Sequence, residues 1–367
     1  MNRLHVGSLN LLNLRLPGRP FYGNPGYKKN EYKRKLTWTA NMFDQLQCPL
    51  LAVQEVFDEQ ALRDCAKASA VYQNAASIVA PHAASPDNEL PRVGLISSLP
   101  LLGPVESIVD IPPSAAISLP GAPEIGLPPQ DHRQFSRPVL ATTVNLGTEA
   151  LPVAARLYVI HLKSRRPKRL DNEQNHDSAK YVAEDMDDPI VETRAHLRAL
   201  MMRSAEATGI RQLLLKDLVN SRTPVMVLGD FNDHAKAMTT ALICGRTVAR
   251  RLDRRDYTLW HAGALARPNV LKRDVGYTNI YMGEPGSIDH ILLSEEFMRE
   301  SRHAIGEVVR VDWFNDHLNN RHDDSSDHGA IRASLQIKMP SPSKDAPASS
   351  TAKKKNQPRK KTSRRPK

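Results

Sequence analysis

The chain has 367 residues, of which 40% are hydrophobic and 25% are charged, so it has the composition of a globular protein with a large apolar core. No apolar run is long enough to cross a bilayer, and three cysteines at wide spacings disfavour a structural zinc site or a disulfide framework. Most of the net charge of +11 lies in residues 339–367, which hold ten Lys and Arg against one Asp. The rest of the chain has 41 basic and 39 acidic residues. The charge of residues 1–338 alone therefore does not indicate nucleic-acid binding.

The amino terminus predicts a first strand and not a signal peptide. Residues 1–20, MNRLHVGSLNLLNLRLPGRP, place Ser and Asn within the apolar stretch, and no small-residue cleavage site follows. The few unclustered cysteines also suit a reducing compartment. A cytoplasmic location is therefore expected.

Short apolar runs of β type alternate with helical and loop segments along the chain. The predicted strands are HVGSLNLL near residue 5, LLAVQEV at 50, VGLISS at 93, VLATTVNL at 139, RLYVIHLKS at 156, PVMVLGDF at 224, IDHILLS at 288 and GAIRASLQIK at 329. Helices are predicted over residues 33–46 and 193–218, where apolar residues recur at intervals of three and four. The Pro-rich residues 100–132 predict a long ordered loop, and the acidic residues 184–192 predict a solvated surface loop. Strands that alternate with helices predict sheets covered by helices.

Residues 1–338 are predicted to form one domain, because no internal linker divides them. Residues 339–367 lack aromatic residues and are rich in Pro, Ser, Ala and Lys, which predicts a disordered tail. Two interpretations of this tail stay open. It is either a tether that adds nonspecific contacts to phosphates or a solubilising end without a binding role.

Side chains that can bind a metal or move a proton recur at the ends of six predicted strands. They are Asn10 in the first strand, Glu55 at the end of the second, His161 after LYVI, Asp230 and Asn232 at the end of VMVLGDFN, Asp289 at the start of DHILL, and Asp327 with His328 before the last strand. Each of them alone has an ordinary alternative, such as a backbone hydrogen bond, a helix cap or a solvated loop position. Their repetition at strand ends indicates a functional site.

The residue types at these positions favour hydrolysis of phosphate esters. Carboxylates such as Glu55 and Asp327, with no cysteine nearby, suit Mg²⁺ or Mn²⁺ better than zinc. In GDFN, extended geometry places Asp230 and Asn232 on the same side, and Gly229 is expected to let the chain leave the sheet. The next acid, Asp233, alternates away from this face and is expected to be a turn residue.

The blocks SLNLLNL, LAVQEVF, YVIHLKS, VMVLGDFND, GSIDHILLS and SSDHGAI resemble, in this order, the motifs of the endonuclease/exonuclease/phosphatase superfamily, which has the DNase I-like fold. The resemblance spans residues 6–337, and GDFND and SSDH are its most specific signals. It implies an α/β four-layer sandwich, in which two packed mixed sheets are flanked by helices. The site would lie at one end of the sheets.

The resemblance implies a Mg²⁺ cofactor, for which Mn²⁺ could substitute. Glu55 would be the principal metal ligand, with Asn10 and Asp327 close to the metal or to a phosphate. Asp230 and Asn232 would align the attacking water and stabilise the pentacovalent transition state.

The remaining roles implied by the resemblance fall to histidines and cations. His328 would be the general base, paired with Asp289, because imidazole titrates near neutral pH. His161 would protonate or stabilise the leaving oxygen, and His290 would contact phosphate. Two further candidates for phosphate contact, each with an ordinary surface cation as the alternative, are Arg137 in FSRPVL and Lys163 in HLKS.

Three functions stay open. The first is a Mg²⁺-dependent nuclease that acts on DNA or RNA, with nucleic acid as partner, because the site residues occur together with a basic tail. The second is a phosphatase or phosphodiesterase for a small-molecule or lipid phosphoester, since this fold changes substrates through its loops. The third is a catalytically silent nucleic-acid-binding protein. YVIH in place of the YVPN of abasic-site endonucleases disfavours that branch, and MGEPGSI in place of a Trp-Cys-Asp-Arg motif disfavours inositol polyphosphate 5-phosphatases.

Overall fold

The computed structural model describes residues 2–81, 90–172, 181–245, 257–267, 276–320 and 322–339. Apart from Met339, the predicted tail lies outside these ranges, so both its disorder and the domain boundary at residue 338 stay predictions. None of the helices in the described ranges is long and apolar enough to cross a membrane.

The described strands, in chain order, are β1 (Asn2–Leu14), β2 (Leu50–Val56), β3 (Ser77–Val79), β4 (Arg92–Ser97), β5 (Glu106–Asp110), β6 (Ile117–Leu119), β7 (Gln130–His132), β8 (Gln134–Asn145), β9 (Ala154–His161), β10 (Val225–Asp230), β11 (Trp260–His261), β12 (Asn279–Tyr281), β13 (Glu284–Gly286), β14 (Asp289–Leu293), β15 (Gly306–Phe314) and β16 (Ala330–Ile337). Within the described part of the chain they form two six-stranded mixed sheets, with orders β15-β16-β1-β2-β4-β3 and β11-β14-β10-β9-β8-β5. Two small hairpins, β6–β7 and β12–β13, lie outside these sheets.

The two sheets have the same central arrangement. In the first sheet β1 is parallel to β2 and antiparallel to β16. In the second sheet β10 is parallel to β9 and antiparallel to β14. The carboxyl ends of the parallel pairs therefore lie beside the amino ends of β14 and β16. This geometry collects all the predicted site segments at one end of the sheets.

Alternation along the strands divides the apolar residues into three layers. Between the sheets, Val6 and Ala52 pack in one cluster with Val159 and Leu228. The opposite face of each sheet packs against helices. These are α1 (Lys29–Leu46) and α2 (Glu59–Ala68) on the first sheet, and α3 (Pro189–Leu218) and α4 (Met238–Cys244) on the second; a short helix, α5 (Ala262–Leu265), follows β11. The structure therefore confirms the predicted four-layer sandwich.

Three expectations about elements need correction, and one strand was not predicted. Residues 100–132, expected to form a loop, contain β5, β6 and β7, and the sequence reading omits β15 altogether. The helix expected from residue 193 begins at Pro189, because Asp188 caps it by accepting a hydrogen bond from the backbone N–H of Ile190 at 2.8 Å. Glu184, expected on a solvated loop, is 2% exposed.

Candidate active site

The side-chain amide of Asn10 joins the two sheets at the end where their parallel pairs terminate. Asn10 Nδ2 lies 3.2 Å from Glu55 Oε1 on the adjacent strand and 3.1 Å from Asp230 Oδ2 on the other sheet. Asn10 Oδ1 accepts a hydrogen bond from the backbone N–H of Leu12 at 3.0 Å. One buried side chain thus positions a carboxylate from each sheet.

Glu55 faces this point because β2 departs from regular geometry near its end. Gln54 Oε1 accepts a hydrogen bond from Ser8 on β1. Strict alternation would therefore send the next residue, Glu55, to the opposite face of the sheet. Glu55, however, has a φ of 59°, and the pairing of β2 with β4 shifts register here. This bulge directs Glu55 Oε2 to the backbone N–H of Asn13 at 3.0 Å. Both carboxylate oxygens of Glu55 therefore contact β1.

Left-handed backbone is concentrated around the site. Eight non-glycine residues in the described ranges have positive φ, and those that border the site are Leu12, Asn13, Tyr22, Glu55 and Asn232. This conformation costs about 1–2 kcal/mol for a residue with a Cβ. Such strain is retained at functional sites when the surrounding contacts impose it.

Gly229 does not turn the chain out of the sheet, which corrects the sequence expectation. It pairs with Ile160 and His290 within the sheet, and a Cβ on it would lie 2.0 Å from the carbonyl oxygen of Ile160. The close approach of β9 therefore requires a glycine. The chain turns after Asp230, where the backbone N–H of Asn232 donates to Asp230 Oδ1 at 2.7 Å and Asn232 Nδ2 lies 3.3 Å from Asp230 Oδ2. The acid and the amide are adjacent, but through a turn and not through strand alternation.

His328 and Asp289 form a buried pair beside Asp230. His328 Nδ1 lies 2.8 Å from Asp289 Oδ2, and His328 Nε2 lies 3.8 Å from Asp230 Oδ2. Burial alone would lower the pKa of His328, but the charges of Asp289 and Asp230 outweigh burial and raise the pKa well above 6.5. Ser326 fixes this segment, because its Oγ accepts from the His328 backbone N–H at 3.0 Å and donates to the Asn10 carbonyl at 2.7 Å. Sequence reasoning assigns Ser326 no role, although it lies within the SSDH block.

His161 is buried at the end of β9, with its Nε2 3.3 Å from Asp230 Oδ2. Burial lowers the pKa of His161 well below 6.5, and the positive charges of Arg137, His328 and Lys163 lower it further. The ring is therefore neutral near pH 7. Of its two expected roles, this charge state favours stabilising an oxygen by a hydrogen bond over supplying a proton.

The carboxylates of the site fit a divalent cation. Ligand atoms of Asp230, Asp289 and His328 lie within 4.8 Å of one another, and no described residue donates a hydrogen bond to the buried Asp289 Oδ1. Burial outweighs the opposing charge of His328 and, together with the charge of Asp289, raises the pKa of Asp230 to about 7. Asp230 with Asp289, or Glu55 with Asn10, would hold the cation. A bound cation would polarise a phosphoryl oxygen and stabilise developing negative charge. Its identity as Mg²⁺ stays a prediction.

Asp327, Arg137 and Lys163 surround this cluster. Asp327 lies half-buried in the bend before β16, where its charge helps to raise the pKa of His328. Burial, together with the charge of Arg137, lowers the pKa of Lys163 to about 8. The charges of both cations also act on His161 at the site, and their contact with a phosphate stays a prediction.

His290 is the predicted site residue that the structure does not bring into the cluster. It follows Asp289 on β14 and so faces the other side of the sheet. Its Nε2 lies 2.9 Å from the carbonyl oxygen of Asp233, and its ring lies 5.0 Å from Phe231 and 4.9 Å from His261. Burial lowers the pKa of His290 to about 3. This position gives it a packing role and does not support the expected phosphate contact.

Glu206 of α3 supports the site without a recognisable sequence signal. It accepts hydrogen bonds from the backbone N–H of Lys163 at 2.7 Å and of Ser136 at 2.9 Å, and His132 Nε2 lies 3.4 Å away. One acid in a 30-residue helix resembles any solvated glutamate in sequence. Only the tertiary contacts distinguish it.

Comparisons with known proteins agree with this fold and identify the family. The model of the Endonuclease/Exonuclease/phosphatase family matches residues 38–328. A comparison with curated proteins finds no match. Three solved structures from Bacteroides are similar at 11–12% identity, which shows the fold alone.

An endonuclease/exonuclease/phosphatase family protein from Bacteroides thetaiotaomicron is 12% identical with a TM-score of 0.53, over 91% of this chain and 95% of that chain. An endonuclease/exonuclease/phosphatase from Bacteroides vulgatus is 11% identical with a TM-score of 0.53, over 92% and 100%. A mannosyl-6-phosphatase from Bacteroides thetaiotaomicron VPI-5482 is 11% identical with a TM-score of 0.51, over 91% and 100%. Because the family match covers most of the chain, the protein belongs to the Endonuclease/Exonuclease/phosphatase family of metal-dependent phosphoester hydrolases.

Proposed function

We propose that the protein is a nuclease that cleaves phosphodiester bonds of DNA or RNA with Mg²⁺ or Mn²⁺. The observation that carries this proposal is the segment 163–169, called the basic loop, which starts two residues after His161. Its five cations, with no acid among them, are Lys163, Arg165, Arg166, Lys168 and Arg169. A row of cations beside a phosphoester site matches a chain of phosphates.

The basic loop is held mainly through its backbone. The backbone N–H of Lys163 donates to Glu206 at 2.7 Å, and that of Lys168 donates to the carbonyl of Ala195 at 2.9 Å. Both acceptors belong to α3. The exposed members of the loop are Arg165, Arg166 and Arg169. The guanidinium of Arg165 pairs with Asp233 at 2.7 Å, so the charges of Arg166 and Arg169 are the more accessible ones. Because the loop backbone is already fixed, little conformational entropy is lost when its charged side chains bind a polyanion.

The positive potential extends from the basic loop into the site. The pKa of Lys163 is lowered by burial and then by the charges of Arg137, Arg203 and Lys168, which outweigh the opposing charge of Glu206. Several cations thus act on one point. A phosphate that enters this region is attracted by all of them.

The test is hydrolysis of single-stranded DNA, duplex DNA and RNA with Mg²⁺ and with EDTA. We expect cleavage with Mg²⁺, none with EDTA, and a fall in kcat of about 100-fold or more in His328→Ala, because the variant has no buried imidazole beside Asp289. His196→Ala is the matched control, since this α3 histidine has a half-exposed side chain and lies outside the site.

Failure to cut any nucleic acid, or equal cutting by wild type and His328→Ala, would contradict the proposal. Metal-dependent release of phosphate from a sugar phosphate, or of phosphocholine from a lipid, with nucleic acids intact would support the small-molecule or lipid alternative. Equal DNA binding by both proteins without any hydrolysis would support the silent binding protein.

A further inference from the structure

Tyr22 occupies a tight turn that does not favour tyrosine. Phe21 and Asn24 exchange backbone hydrogen bonds of 3.0 and 2.8 Å, so Tyr22 and Gly23 are the central residues of a two-residue hairpin loop. Their φ values are 48° and 74°, as in a type I′ turn. Asn or Gly is preferred at the first of these positions, because a bulky side chain is strained there. The turn therefore does not account for a tyrosine.

The hydrophobic core does not account for this ring either. Phe21 is 7% exposed, whereas Tyr22 is 59% exposed. The ring of Phe57 contacts that of Tyr22 at 5.6 Å with 79° between the planes. An aromatic ring that is steadied by an edge contact and largely exposed can receive a stacked planar group.

Tyr22 lies beside the end of β2 that carries Glu55, because its ring contacts that of Phe57, two residues after Glu55. The ring is exposed, but neighbouring groups desolvate its hydroxyl and raise the pKa; the charge of Arg137 opposes this rise, the charge of Glu55 adds to it, and the charge of Arg166 opposes it. The hydroxyl is thus within electrostatic reach of Glu55, which would bind a cation, and of two arginines that could bind a phosphate. A planar group attached to a phosphate at this site would meet the exposed ring.

We propose that Tyr22 stacks on an unpaired nucleobase adjacent to the phosphodiester bond that is cut, so that the substrate is single-stranded nucleic acid or a frayed end. This inference rests on the proposed nuclease function and adds the substrate class. A base within a duplex is covered by its neighbours and cannot stack on a protein ring without leaving the helix. A nucleobase combines the planar face that suits Tyr22 with the adjacent phosphates that suit Arg137 and Arg166.

The test compares cleavage of a single-stranded DNA oligonucleotide with cleavage of the same backbone built from abasic tetrahydrofuran nucleotides. We expect Tyr22→Asn to raise KM for the base-containing strand about 10-fold, because Asn offers no ring on which a base can stack, and to leave KM for the abasic strand unchanged. Tyr22→Phe keeps the ring and should retain the wild-type KM. Asn suits the turn, so the melting temperature should not fall. Tyr22→Gly, which also suits the turn, provides a second variant.

The chain offers a matched control in Met282, which is 86% exposed and has a φ of 50° before Gly283 at the tip of the β12–β13 hairpin. None of the described interactions links Met282 to Arg137 or Glu55, so Met282→Asn should leave KM unchanged. An unchanged KM in Tyr22→Asn and Tyr22→Gly would overturn the stacking role while the nuclease function stands. Equal rises in KM on both strands, or an equal rise in Met282→Asn, would also overturn it. If the wild type cuts no nucleic acid, the proposed function itself is wrong.

Discussion

At the scale of single residues, Glu206 fixes two backbone segments that border the site. It is 1% exposed and accepts from the backbone N–H groups of Lys163, two residues after His161, and of Ser136, which precedes Arg137. Gln at position 206 would have only one acceptor oxygen, and its NH₂ group would face one of these two backbone N–H donors. We expect Glu206→Gln to lower the free energy of unfolding by about 1–3 kcal/mol and to lower kcat. Denaturant titration and steady-state kinetics on a small phosphodiester measure the two effects.

The effect of Glu206→Gln on stability should depend on pH. Burial alone would raise the pKa of Glu206, but hydrogen bonds from His132 and Ser136 outweigh burial, and the pKa lies below 4.5. The unfolded chain therefore takes up the proton first as the pH falls, so the stabilisation is complete above the ordinary pKa and disappears below it. The difference in unfolding free energy between wild type and variant should shrink between about pH 6 and about pH 3. A constant difference would show that the ionised carboxylate is not the stabilising form.

The sequence identifies the reacting residues better than it predicts how they reach the site. Asp230 and His328 could be found because acids and histidines at the ends of apolar strands are conspicuous. The left-handed φ of Glu55 occurs where the pairing of β2 with β4 shifts register. The 2.0 Å that would separate a Gly229 Cβ from the Ile160 carbonyl arises only when β9 and β10 pair. Such features depend on tertiary contacts, and strand alternation cannot indicate them.

At the scale of elements, α3 fastens the basic loop through a buried ion pair. Arg198 Nη1 and Nη2 lie 2.7 and 3.0 Å from the two oxygens of Glu184, and the guanidinium also donates to the carbonyls of Lys168 and Pro120. Without the arginine, the Glu184 carboxylate keeps Arg194 as its ion-pair partner, but it loses its bidentate contact, and the carbonyls of Lys168 and Pro120 lose this donor. We expect Arg198→Met to lower the free energy of unfolding by about 3 kcal/mol or more, measured by denaturant titration.

Two further variants make this expectation specific. Arg198→Met with Glu184→Leu removes both charges and should recover part of the stability, because packed apolar groups often replace a buried ion pair. Arg63→Met breaks a partly exposed pair with Glu59 on α2 and should cost no more than about 1 kcal/mol. A destabilisation by Arg198→Met as small as that by Arg63→Met would contradict the anchoring role.

Elements with a strong apolar period were predictable, and edge elements were not. The central strands β2, β9 and β10 are continuous apolar runs that end in polar groups, and each was predicted within a few residues. The omitted strand β15 is mostly half-buried and pairs with β16 at the edge of its sheet. Its sequence, GEVVRVDWF, carries charges that such an edge permits. The periodicity of an edge strand is therefore too weak to separate it from a loop.

At the scale of the whole molecule, positive charge occurs in two separate regions. Residues 339–367 carry ten cations and one acid, and the basic loop carries five cations beside the site. The sequence finds the first region because it is a continuous run. The importance of the second depends on its position after β9, which only the fold gives. The two regions predict different effects on binding and on catalysis.

We expect a chain that ends at Met339 to bind single-stranded DNA more weakly, with a shallower slope of log Kd against log salt, because tail cations release counterions on binding. Hydrolysis of a small phosphodiester should be unchanged, since the site lies within the described body.

In the basic loop, the double variant Arg166→Gln with Lys168→Gln should reduce the slope by about 0.7 for each phosphate that these cations neutralise and raise KM for DNA. The control variant Arg299→Gln, beyond the far end of β14, should change neither the slope nor KM. Fluorescence anisotropy over a salt series measures the slopes. If truncation leaves the slope unchanged, the tail is a solubilising end, and the basic loop alone supplies the cations that bind phosphate.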